Sequence, residues 1–235
     1  MEKIFYAVIM AAGSGSRMGS EVPKQFLPLG GVPILRRTIE KFTRALPGVR
    51  IVTVLPKDSL PWWKSYCMQH FSHCPQMLVE GGITRFHSVR NALEKIPDGA
   101  VVAIQDGVRP LLSEDLIRRM AERMGQVRAL IPVVPMVDTL KLLDRDADGV
   151  LRTVDGPGVA RERVFGAQTP QMFRSEDLKE AYAQAYDLSF TDDASVASRK
   201  GIPLSYIEGE RYNIKITTPD DLSVAEAILS LDKGR

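Results

Sequence analysis

The chain has 235 residues, 44% of them apolar, and a formal net charge of +2. That length suits one α/β domain with a sizeable core, and the near-neutral balance makes no broad electrostatic case for a nucleic-acid or membrane partner. No apolar run approaches the length of a membrane span, and Glu2 and Lys3 lead straight into a strand pattern with no signal-peptide region. The expectation is a cytoplasmic protein.

Residues 4–10 form a short uncharged run, as in a strand buried on both faces. Next come Ala11-Ala12-Gly13-Ser14-Gly15-Ser16-Arg17-Met18-Gly19 and then Pro23-Lys24-Gln25-Phe26. Small residues let backbone N–H groups close around phosphate oxygens, and Arg17 and Lys24 add two cations beside them. Together they describe a site for a polyphosphate. The same glycines would also serve a plain tight turn with solvated cations. The spacing matches neither the dinucleotide fingerprint Gly-x-Gly-x-x-Gly nor the Gly-x-x-x-x-Gly-Lys-[Ser/Thr] phosphate loop. An ordinary dehydrogenase and a P-loop NTPase are both disfavoured.

Apolar residues at 34, 35, 39 and 42 have a helical period that Pro47-Gly48 stops. Residues 49–55 are β-branched and strand-like, and Pro56, Asp58 and Pro61 open a helix to about residue 70. Cys67 and Cys74 are too few for a disulfide framework. With His70 and His73 they set four soft ligands within eight residues. A tetrahedral zinc site would require the helix to break there, so they read instead as lining the helix end under Trp62 and Trp63.

A strand at 76–80, a helix at about 84–95, a strand at 100–105, a helix capped by Ser113 and running to Met124, and a strand at 129–134 follow. This alternation predicts a mostly parallel, Rossmann-like sheet covered by helices on both faces. Ligands then bind at its carboxyl edge, where the loops 11–25, 80–88 and 105–110 fall. Around the polar turn 144–149, residues 139–143 and 150–154 read as an inserted β-hairpin arm at about 137–160. That turn lacks the closing Glu and the flanking helices of an EF-hand. A helix at 175–186 with Ser175 as N-cap, a helix from Thr191, strands at 204–207 and 213–217, and a last helix from Pro219 complete the chain. One domain, 1–235, with an inserted arm is expected.

The stretch Ala11-Ala12-Gly13-x-Gly15-x-Arg17-Met18-Gly19 … Pro23-Lys24-Gln25-Phe26 resembles the signature of nucleotidyltransferases that activate sugars and polyols with an NTP. Its nearest likeness is to the 2-C-methyl-D-erythritol 4-phosphate cytidylyltransferases of the non-mevalonate isoprenoid pathway. Further stretches that match are Gly81-Gly82-x-x-Arg85-x-x-Ser88-Val89, Gln105-Asp106-Gly107-Val108-Arg109-Pro110, Val137-Asp138-Thr139-Leu140-Lys141, Ala167-Gln168-Thr169-Pro170-Gln171-x-Phe173, Thr191-Asp192-Asp193-Ala194-Ser195 and Asn213-Ile214-Lys215-Ile216-Thr217. Ile83 departs from the pattern, standing where an acidic residue is often found.

The resemblance implies CTP and a polyol phosphate as substrates, Mg²⁺ or another divalent cation, and a homodimer joined by the arm. It implies that Ala11, Ala12, Gly13, Gly15, Gly82 and Ser88 hold the nucleotide. Asp106 would hold the metal, directly or through water. Arg17, Lys24, Arg161 and Lys215 would carry catalysis, with Asp106, Arg109, Thr139, Arg161, Thr169 and Lys215 on the acceptor. Arg163 competes with Arg161 for its place. The nearest rival is a ribitol-5-phosphate cytidylyltransferase, favoured by Val108-Arg109-Pro110 and by Lys24-Gln25-Phe26-Leu27-Pro28-Leu29. Ala11-Ala12-Gly13 and the Thr-Asp-Asp-Ala-Ser stretch favour the erythritol enzymes. Remoter rivals are a uridylyl- or guanylyl-transferase for sugar 1-phosphates and a CTP-binding regulator without catalysis.

Overall fold

The computed structural model of the chain describes residues 3–13, 22–154 and 158–232. Four parallel strands form one half of the main sheet, with the third of them at its edge: β1 (Phe5–Met10), β4 (Arg50–Leu55), β5 (Gln76–Glu80) and β6 (Val101–Asp106). Their spatial order is β5-β4-β1-β6. The chain therefore builds outward from β1 to β5 and crosses back to β6, which makes the β1/β6 border a topological switch point. Such borders open a crevice beyond the strand carboxyl ends.

Beyond β6 the sheet turns mixed. β11 (Gln171–Arg174) runs antiparallel to β6 and to β7 (Ala129–Pro135). β10 (Phe165–Ala167) pairs antiparallel with the later residues of β7, and β12 (Ser205–Glu208) lies parallel along its other side. A two-residue hairpin, β2 (Pro28–Leu29) with β3 (Val32–Pro33), turns on Gly30 and Gly31, both at positive φ. The sequence reading had not anticipated it.

Alternation along β1 assigns its side chains to two cores. Tyr6 and Val8 point to one face, where they join Phe86, Val89 and Leu93 of α3 (Arg85–Leu93), Leu178 and Tyr182 of α5 (Ser175–Tyr182), and Val196 of α6 (Asp193–Arg199). Ala7 and Ile9 point to the other, against Leu35, Ile39 and Phe42 of α1 (Ile34–Ala45), Trp63 of α2 (Leu60–His70), and Leu116 and Met120 of α4 (Glu114–Arg123). Burial on both faces is why the strands read as continuous apolar runs. Val108 and Ile216 join a smaller cluster with Leu29 and Ala225, the latter from α7 (Pro219–Asp232).

The expected arm is a short hairpin, β8 (Leu143–Arg145) against β9 (Leu151–Thr153), whose side chains are all exposed. Two expected elements differ. Residues 213–217 form no strand; their one backbone bond across the site edge is Ile216 N–H to Val108 O, 2.9 Å. Ser175 is not an N-cap: β11 runs directly into α5, Arg174 takes the cap position, and the Ser175 hydroxyl accepts from Ala100 N–H at 3.0 Å. That helix also ends at Tyr182 rather than 186. The Cys67/His70/His73/Cys74 stretch gathers no metal site, and no group of three or more His, Cys, Asp or Glu suited to a metal occurs among the described residues. Phe71 and Cys74 instead pack into the core beside Trp63, where burial pushes the Cys74 thiol up to about 11. No helix among the described residues is long and apolar enough to cross a membrane.

Candidate active site

β1 and β6 are in register at their ends, with Met10 opposite Asp106. The glycine-rich loop and the Asp106 loop therefore leave the sheet at the same level, at the switch point. Ala11 N–H donates to Val54 O (2.9 Å) and Gly107 N–H to Met10 O (2.8 Å), which continue the sheet's bonding one step into both loops. Buried Gln25 donates from Nε2 to Ala11 O at 2.9 Å, so the two ends of the glycine-rich loop are tied together. This fixes the 3₁₀ turn Lys24–Phe26 beside β1 and sets Lys24 at the hollow. Gly15 and Arg17 lie outside the described residues.

The third wall is the turn before α3. Thr84 is the N-cap and accepts from His87 N–H. The Ser88 hydroxyl accepts from Gly82 N–H and donates to Thr84 O, each at 2.9 Å, so it shapes the loop as well as facing the hollow. A Cβ at Gly81 would lie 2.5 Å from the Ala12 Cβ, and one at Gly82 would lie 2.5 Å from the His87 Cβ. Only glycine permits such close packing at these two positions. Ile83 stands at the rim, 96% exposed, with no acceptor to offer.

Between these loops lies a hollow of about 520 Å³, lined by Ala11, Ala12, Gly13, Lys24, Gly82, Ser88, Asp106 and Lys215 among others. Asp106 is its anionic centre. Lys215 Nζ stands 3.0 Å from Asp106 Oδ2, and Arg109 Nε stands 3.3 Å from the same oxygen. Burial pushes the Asp106 carboxyl up, but Lys215, Arg85 and Arg109 outweigh it and hold the group below its usual range. Asp106 is therefore ionised at neutral pH, with one carboxylate facing several cations. That balance suits a polyanion accompanied by a divalent cation.

The other expected residues lie outside this lining. Arg109 is largely buried, and its Nη1 donates to Asn213 O at 2.6 Å. Thr169 accepts from Asp106 N–H at 3.1 Å and so buttresses the carboxylate from behind. Thr139 is exposed between β7 and the arm. Arg161 sits on the 3₁₀ turn Arg161–Arg163 and donates to Val137 O at 3.1 Å. Arg163 lines a separate hollow with Phe165 and Tyr206.

Arg85 and Asp193 lie in separate matching motifs, and nothing in the sequence pairs them. The Arg85 guanidinium grips Asp193 with both terminal nitrogens, at 2.9 and 2.5 Å, and Tyr182 donates to the same carboxylate. This joins the wall of the hollow to α6. Gln168 and Asn213, in two further motifs, likewise tie segments together. Gln168 pairs with the Glu210 backbone, and Asn213 donates to Thr169 O at 2.9 Å. Buried polar side chains inside short matching motifs were the available signal.

Residues 5–231 match the family described as 2-C-methyl-D-erythritol 4-phosphate cytidylyltransferase. The chain belongs to this family. The enzyme of that name from Bacteroides thetaiotaomicron is 44% identical over 223 residues, covering 94% of this chain and 98% of the relative. That from Porphyromonas gingivalis is 42% identical over 231 residues, covering 98% and 100%. The crystal structure of 4-diphosphocytidyl-2C-methyl-D-erythritol synthase from Anaerococcus prevotii superposes with a TM-score of 0.78 at 28% identity, covering 97% of this chain and 99% of that one. The cytidylyltransferase structure from Thermus thermophilus gives 0.74 at 31% identity, covering 97% and 100%. The cytidylyltransferase fold, mostly parallel at its centre, is thus common to all three.

Proposed function

We propose that the chain catalyses CTP + 2-C-methyl-D-erythritol 4-phosphate → 4-diphosphocytidyl-2-C-methyl-D-erythritol + pyrophosphate, a step in isoprenoid precursor synthesis. The observation that carries this reading is the convergence of Lys24, Asp106 and Lys215 with a glycine-lined slot in one hollow, in a chain of this family.

An oxygen of the acceptor phosphate attacks the α-phosphorus of CTP in line. The bond to the bridging oxygen breaks, and pyrophosphate leaves with that electron pair. The nucleophile is a phosphate monoester with a second pKa of about 6, so it is ionised near neutral pH and needs no general base. His87, beside the hollow, is engaged through Nδ1 with Thr84 Oγ1 at 2.8 Å. Catalysis then rests on positioning and charge neutralisation. Ala11, Ala12, Gly13, Gly82 and Ser88 hold the nucleotide, and Gly15 is assigned with them. Ile83 leaves base contacts at that position to the backbone. Lys24 neutralises the phosphates, a role assigned also to Arg17, and Lys215 orients the acceptor.

Asp106 offers one hard oxygen donor in a hollow without a second metal-binding cluster among the described residues. This fits Mg²⁺ held by one carboxylate together with phosphate oxygens and water. When bound, the ion supplies neutralisation of the triphosphate charge.

We assign Thr139 and Arg161 to the acceptor phosphate of a second subunit, which agrees with their exposure away from the hollow. Arg109 and Thr169 then act by holding Asp106. The 1–235 chain is read as one catalytic unit that works in the cytoplasm as a homodimer joined by the arm. Pyrophosphate release with CTP and Mg²⁺, compared across 2-C-methyl-D-erythritol 4-phosphate and D-ribitol 5-phosphate, tests the assignment. Faster turnover of the erythritol acceptor supports it. Preference for ribitol moves the chain to the rival acceptor, and CTP binding without pyrophosphate from either makes it a regulator.

A further inference from the structure

We propose that Glu210 is a positioning residue for the transfer, fixing the strap 209–217 so that Lys215 stands on Asp106 at the hollow; this rests on the function proposed above. The strap has neither helix nor strand, so nothing in regular structure holds Lys215 in place. Irregular backbone keeps one conformation only where side chains or neighbouring segments over-determine it.

Glu210 supplies that restraint from two sides. Its Oε2 accepts from Ser113 N–H at 2.9 Å, and its Oε1 accepts from the Ser113 hydroxyl. Ser113 is the N-cap of α4, where its hydroxyl also accepts from Leu116 N–H at 2.9 Å. The carboxylate therefore sits at the positive end of a helix, which strengthens the tie. The Glu210 backbone is paired with one side chain, its N–H to Gln168 Oε1 at 3.1 Å and its carbonyl to Gln168 Nε2 at 2.8 Å.

One residue thus joins the segment that carries Asp106, the segment that carries Thr169 and the strap that carries Lys215. The carboxylate is not part of the hollow's lining, so its influence on the reaction passes through the strap. Chemistry that depends on positioned charge is sensitive to displacements of an ångström or less.

The test is a double-mutant cycle of Glu210→Ala and Lys215→Ala, with Glu210→Gln as the conservative variant and pyrophosphate release as the readout. Glu210→Ala should lower kcat by roughly 10-fold or more while the KM for CTP stays within about 3-fold. Glu210→Gln, which keeps one acceptor oxygen, should recover part of that loss. In the Lys215→Ala background, Glu210→Ala should cost less than about 2-fold, because its effect runs through the side chain already removed. Backbone hydrogen exchange of the same chains should show the Ile216 amide exchanging faster in Glu210→Ala, with β1 and β6 unchanged. An unchanged kcat, a full multiplicative loss in the double variant, or unchanged exchange at Ile216 would each overturn the proposal. A wild-type chain that releases no pyrophosphate from any acceptor would refute the proposed reaction instead. The exchange arm would then still decide whether Glu210 holds the strap.

Discussion

Lys24 owes its place to three neighbours: Pro23 before it, Gln25 bonded to Ala11 O, and Phe26 packed against both Trp62 and Trp63. These contacts run through backbone and neighbouring side chains, and they remain to hold the turn when the ammonium group is removed. Lys24→Ala should therefore lower kcat by roughly 10²–10³-fold, the usual cost of removing one charge-stabilising donor from a preorganised site. Its melting temperature should stay close to wild type. A variant with wild-type kcat would take Lys24 out of the chemistry. The placement of Asp106 and Lys24 at the carboxyl edge was legible in the sequence, because each follows a strand or lies in the loop after one. Arg109 was legible only as a cation. Its guanidinium turns inward to Asp106 and Asn213 O, a direction no spacing rule specifies.

At the scale of elements, two joints hold the hollow's walls. The first is the Arg85–Asp193 pair between α3 and α6, with Asp193 fully buried and Tyr182 donating to it. Asp193→Asn keeps the shape but leaves a cation facing a neutral amide. It should cost roughly 2–4 kcal/mol in urea denaturation, less than for a fully buried pair because the Arg85 side chain is 34% exposed and solvent offsets part of the loss. A cost below about 1 kcal/mol would mean that the pair is solvent-screened like a surface bridge. The second joint is the start of α7, where Asp221 accepts from Thr217 N–H (2.8 Å), the Thr217 hydroxyl (2.6 Å) and Thr218 N–H (2.8 Å). The Thr217 hydroxyl bond leads in holding its carboxyl down to about 2, against some burial that raises it. A depressed folded value stabilises the protein above the unfolded value of about 4 and loses that contribution as pH falls toward 2. Thermal melts from pH 6 to pH 2 should therefore show a shallower acid loss in Asp221→Asn than in wild type. Equal slopes would contradict the assignment. The strands and helices of the parallel half were legible because burial on two faces writes itself as uninterrupted apolar runs. The strap 209–217 was not. Its Ile-Lys-Ile pattern reads as a strand, but side-chain bonds from Gln168, Glu210 and Asn213 shape its backbone instead.

At the scale of the whole molecule, the arm stands out among the described residues as a hairpin packed on no other element. Leu142, Leu143, Val150 and Leu151 are all at least 40% exposed on and around a three-residue-per-strand hairpin. An isolated hairpin of this size is marginal in water, and covering it with a second copy would bury those side chains. Sedimentation velocity should find the chain as a dimer and the double variant Leu143→Asp/Leu151→Asp as a monomer with lost turnover, because Thr139 and Arg161 flank the arm. A monomeric wild-type chain with full activity would remove the second subunit from the site. The parallel sheet and its ligand-binding carboxyl edge followed from βαβ alternation, whereas the strand order and the mixed sheet beyond β6 did not. β11 inserts between β6 and β7 from a distant part of the chain, and such pairing leaves no local mark. On the proposed function, the β1/β6 crevice holds one nucleoside triphosphate between a base slot and a set of cations. A crystal structure of the chain with CTP and Mg²⁺ tests it most directly. The predicted result has cytosine in the slot formed by Ala11, Ala12, Gly82 and Ser88, the phosphates against Lys24, and the metal ion at Asp106. A nucleotide bound elsewhere, or bound with its base toward Asp106 and its phosphates toward Ser88, would contradict it.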